Sequence, residues 1–437
     1  MRDFLPEDVR RREYVIGIIT RVYERYGFEP LETPAVENIE TLMGKYGEEG
    51  NQLIFKILMR GEHEATGKAD LALRYDLTVP LARVIAHHQS KLPRLFKRYQ
   101  IQPVWRADRP ARGRFREFYQ CDVDALGSTS PVVEAELCAA VSDALTELGF
   151  SDFVIRMNHR QLLSSLLSVA GVDAAAHGDA LVAIDKLDKI GADGVRDELA
   201  RRGIGDESRT ALLEFFQPSA AESQLDRLAG FVGDDAVGRA ALENLQSIVS
   251  LASATSAAGK IRLEPSLARG LSYYTGAIME INVADLAGSL GGGGRYDNLV
   301  GMFLGQSIPA CGFSLGLERI LVVMGERGMF PPTLATAPAD VMLAVFTAAD
   351  LPHALRVASV LRGHDVRVFV YPDADKLGKQ IKYADSRRIP FVGILGGDEI
   401  AAGTVTVKDL ASQTQQTWSQ ETAGPKILEE LRRRAES

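Results

Sequence analysis

Residues 91–120 concentrate positive charge in a chain that is acidic overall. Nine basic side chains and two acidic ones give this stretch a net charge of +7, whereas the whole chain of 437 residues carries −8. Strand-like segments lie on both sides of residues 107–113, a turn that contains proline and arginine, and this pattern predicts a β-hairpin. Arginine suits the recognition of phosphate and carboxylate groups, because its guanidinium is planar and always charged. The hairpin is therefore a candidate anion-binding element.

The segment after the turn alternates between two kinds of side chain, as a strand with one polar face would. One face would carry Arg114, Arg116, Phe118, Gln120, Asp122 and Asp124, and the other Phe115, Glu117, Tyr119, Cys121 and Val123. The second face is mostly typical of a core, whereas the first combines guanidinium, amide and carboxylate groups. A solvated charged surface is the simpler explanation, but this combination favours a pocket for a phosphate and an amino acid.

The elements that must position these residues fall into regions that differ in amino-acid composition and in helical or strand-like periodicity. Residues 1–160 mix helical with strand-like segments, and residues 161–258 are rich in alanine and leucine and predict a helical insertion. Strand-like sequence returns at residues 259–328. Residues 338–437 alternate apolar strand-like runs with helical ones, which predicts a small α/β domain with a largely parallel sheet.

Two local patterns make sharper predictions. Residues 9–26 predict an amphipathic helix whose apolar face carries Val15, Ile18, Ile19 and Val22. Four consecutive glycines at residues 291–294 are compatible with a plain loop, or with a turn that a ligand approaches closely. They lack the last glycine of a dinucleotide-binding loop, so the sequence offers no signature of that fold.

Composition excludes several classes of protein. Hydrophobic residues make up 46% of the chain and charged residues 25%, which is typical of globular proteins. The three cysteines lie far apart, which excludes a disulfide scaffold and a cysteine-based zinc ribbon. No apolar run approaches the ~20 residues of a membrane helix, and the first residues do not form a signal peptide. We therefore expect a cytoplasmic protein without membrane contacts.

Several stretches resemble class II aminoacyl-tRNA synthetases. The hairpin is similar to their second signature motif, residues 312–319 (GFSLGLER) to the third, and Pro34 to the proline of the first, which lies at the dimer interface in the class. Three more stretches resemble the histidyl-tRNA synthetase branch: residues 73–80 (LRYDLTVP), 269–276 (RGLSYYTG) and 293–297 (GGRYD). The resemblance spans nearly the whole chain.

The resemblance implies a fold and an activity. It implies an α+β protein with an antiparallel sheet flanked by helices, with residues 1–160 and 259–328 as two parts of a catalytic core, and residues 338–437 as an anticodon-binding domain. The implied enzyme activates L-histidine with ATP to histidyl-adenylate and pyrophosphate, then transfers histidine to the 3′-terminal ribose of tRNA(His). Mg²⁺ would accompany ATP, no tightly bound cofactor or metal site of the protein is expected, and the implied assembly is a homodimer.

The resemblance also implies roles for individual residues. Catalysis would rest on Arg106 and Arg269, and ATP would be held by Arg106, Arg114, Phe118 and Arg319. Histidine would be held by Asp76, Thr78, Gln120, Asp124, Arg269, Tyr274 and Tyr296. Transfer RNA would be contacted by Arg112, Lys379 and Lys382.

Two other functions are compatible with these patterns. One is a histidine-sensing regulatory subunit of ATP phosphoribosyltransferase, a non-catalytic relative that tends to lose the motif arginines and the last domain. The other is a class II synthetase for a different amino acid. The retained arginines argue against the first, and residues 269–276 and 293–297 argue against the second.

Overall fold

The computed structural model describes residues 1–61, 66–216, 223–268, 273–331, 334 and 337–436. The chain divides into two compact units. The first comprises Met1–Asp3 and Arg12–Met329, and the second comprises Phe4–Arg11 and Phe330–Ser437. Each unit has its own sheet and core.

The strands and helices up to residue 329 are as follows. The strands are β1 (Glu29–Pro30), β2 (Val36–Asn38), β3 (Lys56–Leu58), β4 (Ala69–Leu73), β5 (Phe96–Trp105), β6 (Glu117–Leu126), β7 (Val154–His159), β8 (Ile261–Leu263), β9 (Ala277–Asn282), β10 (Gly291–Arg295) and β11 (Ala310–Gly316). The helices are α1 (Pro6–Arg25), α2 (Ile39–Leu42), α3 (Gly47–Gln52), α4 (Thr78–His88), α5 (Val132–Glu147), α6 (Arg160–Val169), α7 (His177–Ile184), α8 (Leu187–Arg201), α9 (Asp206–Phe216), α10 (Gln224–Val232), α11 (Ala236–Ala252), α12 (Gly301–Leu304) and α13 (Leu317–Glu326).

An eight-stranded sheet organises the first unit. Its strand order is β1-β5-β6-β11-β10-β9-β7-β8, and only the outermost pairs, β1 with β5 and β7 with β8, are parallel. The predicted hairpin is β5 and β6, with Trp105 opposite Glu117. The second strand begins at Glu117 rather than Arg114, because Arg114 forms a tight bridge with Ala111 inside the turn. The antiparallel sheet of the predicted fold is confirmed.

The four glycines form a strand in the middle of this sheet and not a loop. Strand β10 pairs with β9 on one side and β11 on the other. A Cβ atom on Gly291 or Gly293 would overlap the backbone of β11, and one on Gly294 would come within 3.0 Å of the Tyr274 ring. Glycine is therefore required by close packing, and the bare strand leaves room above the sheet.

Two groups of helices complete the first unit. The predicted amphipathic helix is α1, and Val15, Ile18, Ile19 and Val22 are all buried, which confirms its apolar face. Helices α6 to α11 follow one another between β7 and β8, and α6 to α9 share a core built largely of leucine, isoleucine and alanine side chains. The polypeptide returns to the eight-stranded sheet only after these helices.

The second unit contains a five-stranded sheet. Its strands are β12 (Val341–Val345), β13 (Val368–Val370), β14 (Phe391–Leu395), β15 (Thr404–Asp409) and β16 (Gln415–Ser419), and its helices after residue 340 are α14 (Leu351–Arg362), α15 (Leu377–Ser386), α16 (Gly397–Ala402) and α17 (Ala423–Glu436). Strand β12 pairs in parallel with β13 and β14, whereas β14–β15 and β15–β16 are antiparallel. The prediction of a largely parallel sheet is thus wrong for the last two strands, because a short turn joins β15 to β16 as a hairpin.

A buried ion pair fixes helix α5 to the sheet. The Arg295 Nε and Nη2 atoms donate to the two carboxylate oxygens of Glu134 at 2.6 and 2.9 Å. Glu134 is completely buried and Arg295 nearly so. Each charge offsets much of the cost of burying the other.

Replacing Glu134 with alanine should therefore lower the free energy of unfolding by roughly 3–5 kcal/mol, because the buried guanidinium loses its two-pronged partner and keeps only the partly exposed Asp297 as a counter-charge. The matched control is Glu136→Ala on the same helix, where Lys97 is the partner and Glu136 is 47% exposed. That control should cost at most about 1 kcal/mol. Urea unfolding monitors both variants, and equal losses would contradict the assignment.

Candidate active site

A cavity of about 400 Å³ opens on one face of the eight-stranded sheet. Its walls come from the β5–β6 hairpin, from β10 and β11, and from the segments before α4 and β9. Ten of the predicted site residues line it: Asp76, Thr78, Arg106, Arg114, Phe118, Gln120, Asp124, Tyr274, Tyr296 and Arg319. Predicted Arg269 and its neighbour Ser272 lie outside the described residues.

One end of the cavity is acidic and is built on β6. Asp122 and Asp124 project from the same face of this strand and are almost fully buried. The Arg98 Nη2 atom lies 2.8 Å from the Asp124 Oδ2 atom, and the Tyr296 hydroxyl donates to the Asp124 Oδ1 atom. Gly312 lies opposite Asp124 on β11, where a Cβ atom would overlap the carboxylate. The surroundings thus hold this carboxylate in one orientation.

Asp76 provides a third carboxylate, held by three donors. Its Oδ1 atom accepts from the Tyr46 hydroxyl at 2.9 Å and from the Val79 backbone N–H at 3.0 Å. Its Oδ2 atom accepts from the Tyr273 hydroxyl at 3.0 Å. Burial raises the pKa of Asp76, and these hydrogen bonds together with Arg106 oppose that rise. The arrangement orients the carboxylate toward a ligand that carries hydrogen-bond donors.

The other end of the cavity is basic. The Arg106 Nε atom donates to the Tyr75 carbonyl at 3.1 Å, and its guanidinium lies over the rings of Tyr75 and Phe118 at 4.3 and 5.2 Å. Arg319, in the first turn of α13, donates to the Ser289 carbonyl. Arg114 completes this end. Three guanidinium groups from three places in the chain therefore converge where a polyphosphate would fit.

Glu318 introduces a carboxylate next to these arginines. Its Oε2 atom accepts from the Tyr119 backbone N–H at 2.9 Å, and burial raises its pKa to about 7. Its Oε1 atom is buried and has no hydrogen-bond partner within the described part of the chain. A carboxylate oxygen in this state is suited to a metal ion that arrives with a phosphate ligand.

No protein metal centre is present among the residues that the structure describes. They contain no group of three or more histidine, cysteine, aspartate or glutamate side chains that would hold an ion. Mg²⁺ commonly needs only one or two carboxylates when phosphates supply the other ligands. Glu280 and Glu318 both line the cavity and fit that requirement.

Several residues of this site were missed by the sequence analysis as functional candidates, among them Tyr46, Arg98, Asp122, Glu280 and Glu318. Asp122 carried a usable signal, because it lies on the polar face of β6 between Gln120 and Asp124. Arg98 lies on the neighbouring strand, and only the register of β5 against β6 brings it opposite Asp124. Tyr46 comes from an irregular segment whose position depends on the tertiary fold.

Three predicted residues lie away from the cavity. Arg112, at the tip of the hairpin, donates from Nε to the Glu326 Oε1 atom at 3.0 Å and from Nη1 to the Asp285 carbonyl at 3.0 Å. Lys379 and Lys382 are exposed on helix α15 in the second unit. Lys379 forms an ion pair with Asp375 at 2.7 Å.

The sheet, the hairpin and the strand that enters α13 define a class II aminoacyl-tRNA synthetase fold. A family model described as "Histidyl-tRNA synthetase" matches residues 1–320, and one described as "Anticodon binding domain" matches residues 340–430. The chain belongs to the histidyl-tRNA synthetase family. The family resemblance that the sequence motifs predicted is thus confirmed.

Individual relatives are similar to this protein over nearly its whole length. The chain is 41% identical over 434 residues to a histidine–tRNA ligase of Christiangramia forsetii, with 95% of each chain covered. It is 41% identical over 461 residues to that of Gloeobacter violaceus, covering 99% of this chain and 98% of the relative. The crystal structure of histidyl-tRNA synthetase from Nostoc sp. PCC 7120 is 31% identical and superposes with a TM-score of 0.80, covering 98% and 97% of the two chains.

Within the described ranges, every helix is too short or too polar to cross a bilayer.

Replacing Tyr46 with phenylalanine should weaken the binding of L-histidine roughly 5- to 10-fold, which corresponds to about 1–1.5 kcal/mol for a lost hydrogen bond. The reason is that Asp76 loses one of the donors that keep it ionised and oriented. Calorimetric titration with L-histidine measures the effect. Tyr26→Phe is the matched control, because the Tyr26 hydroxyl donates to Asp143 and neither residue lines the cavity. Equal affinity in the two variants would contradict the role of Tyr46.

Proposed function

We propose that this protein is a histidine–tRNA ligase. The observation that carries the proposal is the polarity of its cavity. Asp76, Asp122 and Asp124 line it together with Arg106, Arg114 and Arg319, and Arg106 lies near enough to Asp76 to affect its pKa. A cationic amino acid would lie against the carboxylates and a polyphosphate against the arginines, with their reacting groups between them.

The acidic end is the proposed histidine site. The α-ammonium group of histidine would be held by Asp76, with Thr78 and Gln120 beside it. The imidazole ring would lie between Asp124 and Tyr274, with Tyr296 in the same wall. Contacts to both ring nitrogens would reject isosteres that lack them, since the buried polar groups of the site would then be unpaired.

The basic end is the proposed ATP site. Arg106 would hold the α-phosphate, Arg114 and Arg319 the distal phosphates, and Phe118 would cover one face of adenine. An oxygen of the histidine carboxylate attacks the α-phosphorus, the bond to the bridging oxygen breaks, and pyrophosphate leaves. Two anions meet in this step, so fixed guanidinium groups stabilise it most where negative charge accumulates. By family resemblance, Arg269 would bridge the α-phosphate and the carboxylate.

Mg²⁺ would be bound together with ATP. Glu280 and Glu318 would hold it on the protein side, and the phosphates would supply other ligands. When bound, the ion neutralises charge on the phosphate oxygens and so assists departure of pyrophosphate. Neither carboxylate needs to act as an acid or base in this step.

Transfer RNA would contact both units. In the second unit, the exposed basic side chains of α15, including Lys379 and Lys382, would follow the phosphate backbone. In the first unit, Arg112 would contact the tRNA from the hairpin tip. Its present partner Glu326 is a carboxylate at the surface, which a tRNA phosphate would replace as a hydrogen-bond acceptor.

We also propose a division of the chain into domains and an assembly of two chains. Residues 1–160 and 259–328 would form the catalytic core, residues 161–258 an insertion in it, and residues 338–437 the anticodon-binding domain. A homodimer is proposed, since Val36 and Leu58 on the small β2-β4-β3 sheet are 38% and 55% exposed near Pro34 in the first motif. The enzyme would act in the cytoplasm, where its tRNA substrate is used.

The alternatives are less well supported. A purely regulatory subunit has no need of three arginines and a carboxylate at a polyphosphate site, nor of the domain matched at residues 340–430. Pyrophosphate exchange with each amino acid in turn separates the possibilities. Exchange with histidine alone supports the proposal, whereas no exchange, or exchange with another amino acid, rejects it.

Replacing Arg106 with alanine should reduce histidine-dependent pyrophosphate exchange at least 100-fold, which is the usual cost of one preorganised donor at the transition state. Arg116→Ala is the matched control. Arg116 is an exposed arginine of the same hairpin that donates to the Asp108 carbonyl at 3.2 Å and does not line the cavity. Near-normal exchange in a folded Arg106 variant would reject the assigned role.

Replacing Lys379 and Lys382 together with glutamate should weaken tRNA aminoacylation by at least 10-fold while leaving pyrophosphate exchange intact, since reversed charges repel phosphates. Charge reversal of Lys426 and Arg433, which are exposed on α17, is the control. Steady-state aminoacylation at two salt concentrations checks the result. Equal damage to both reactions would contradict a separate tRNA-binding surface.

A further inference from the structure

At the acidic end of the cavity, two carboxylates share one guanidinium group. Asp122 and Asp124 lie two residues apart on β6 and share Arg98, whose Nη2 atom is 2.8 Å from Asp124 but 3.9 Å from Asp122. Arg98 is completely buried behind them and does not line the cavity. Asp76 lies in the same end and adds a third carboxylate.

Asp122 faces few groups that offset its charge. The Gln120 Nε2 atom donates to its Oδ1 atom at 3.3 Å, and Ser314 on β11 lies opposite it in the sheet. The titratable and charged groups around it are Arg98 on β5, Asp124 and Cys121 on β6, Asp76 and Arg74 after β4, Tyr274 before β9 and Tyr23 on α1. The Arg74 guanidinium already donates hydrogen bonds to the Thr33 and Pro103 carbonyls. Arg106 acts on Asp76, but Arg98 is the one guanidinium within 4 Å of Asp122 among the described residues, and it lies closer to Asp124.

A ligand with a single positive charge leaves Asp122 without a close cation of its own. The α-ammonium group of histidine would balance Asp76, and Arg98 balances Asp124. The charge of Asp122 then has no counterpart, and an unpaired buried charge is costly. An imidazole ring supplies the missing charge if it carries a second proton.

We propose that Asp122 makes this site select the imidazolium form of histidine, so that histidine binding is coupled to proton uptake. This inference rests on the proposed function, because it concerns the same ligand site. In the bound state both ring nitrogens carry hydrogen and both donate. Asp124 accepts from one of them, and the Tyr274 hydroxyl, which can accept as well as donate, takes the other. Asp122 remains ionised and balances the ring.

The number of protons exchanged on binding depends on how many the free protein and free histidine already carry. Burial, offset in part by Arg98, raises the pKa of Asp122 to about 7, and the free imidazole ring titrates near about 6.5. The complex holds one proton, on the ring. At pH 8 neither free partner carries a proton to a large extent, so binding takes up roughly 0.9 proton. At lower pH the free partners already carry more protons, so the uptake on binding becomes smaller.

The test is calorimetric titration of the full-length protein with L-histidine at pH 8, in buffers that differ in ionisation enthalpy. The slope of the observed heat against that enthalpy gives the protons taken up. The native protein should take up close to one proton and Asp122→Asn close to none, because Arg98 alone then balances Asp124. Asp398→Asn removes the same charge from an exposed position in the second unit and should behave like the native protein.

A second measurement needs no variant. Histidine labelled with ¹⁵N in the ring gives two similar nitrogen shifts as imidazolium and two widely separated shifts as a neutral tautomer. Similar shifts for the bound ligand at pH 8 support the proposal, and separated shifts overturn it. Histidine binding with no proton uptake, or with the same uptake in Asp122→Asn, also overturns it while leaving the proposed function intact. Absence of any histidine-dependent pyrophosphate exchange would instead reject the proposed function, and this inference with it.

Discussion

The reaction joins two groups that repel each other, and the separation of charge along one cavity is what makes their meeting possible. In the proposed arrangement, the carboxylates would attract the cationic part of histidine, and the guanidinium groups would attract the phosphates of ATP. The acid group of the substrate would then face the α-phosphorus. Because the site is largely buried, these electrostatic interactions are stronger than they would be in water. Each charged side chain must consequently be held in place, since a small displacement would cost binding or catalysis.

The antiparallel sheet supplies this rigidity through its register. Gln120, Asp122 and Asp124 point to one face of β6 because side chains alternate along a strand. Ser314 and Gly312 lie opposite Asp122 and Asp124 on β11. The glycine strand β10 follows, and its missing side chains make the space that substrates need. The same feature limits variation, because even a methyl group at Gly293 would overlap the neighbouring strand.

Local patterns in the sequence predicted much of this architecture. Period-two alternation identified the polar face of β6, and helical periodicity identified the buried face of α1. Other features depend on distant parts of the chain. The residues of β10 do not resemble a strand, since glycine is normally rare in strands, and only the packing of β9 and β11 explains them. The pairing of Arg98 with Asp124 and the contact of Tyr46 with Asp76 likewise follow from tertiary structure.

The position of the six-helix segment has a consequence for synthesis on the ribosome. Strand β6 ends at Leu126, but its neighbour β11 begins at Ala310, so 184 residues separate the two positions. At common translation speeds of about 5–20 residues per second, the edge of β6 remains unpaired for roughly 10–40 s before β11 is synthesised. During that interval the nascent hairpin exposes an unpaired strand edge, which favours aggregation or capture by chaperones. Early folding of the helices between β7 and β8 would shorten the distance that β11 must search to find β6.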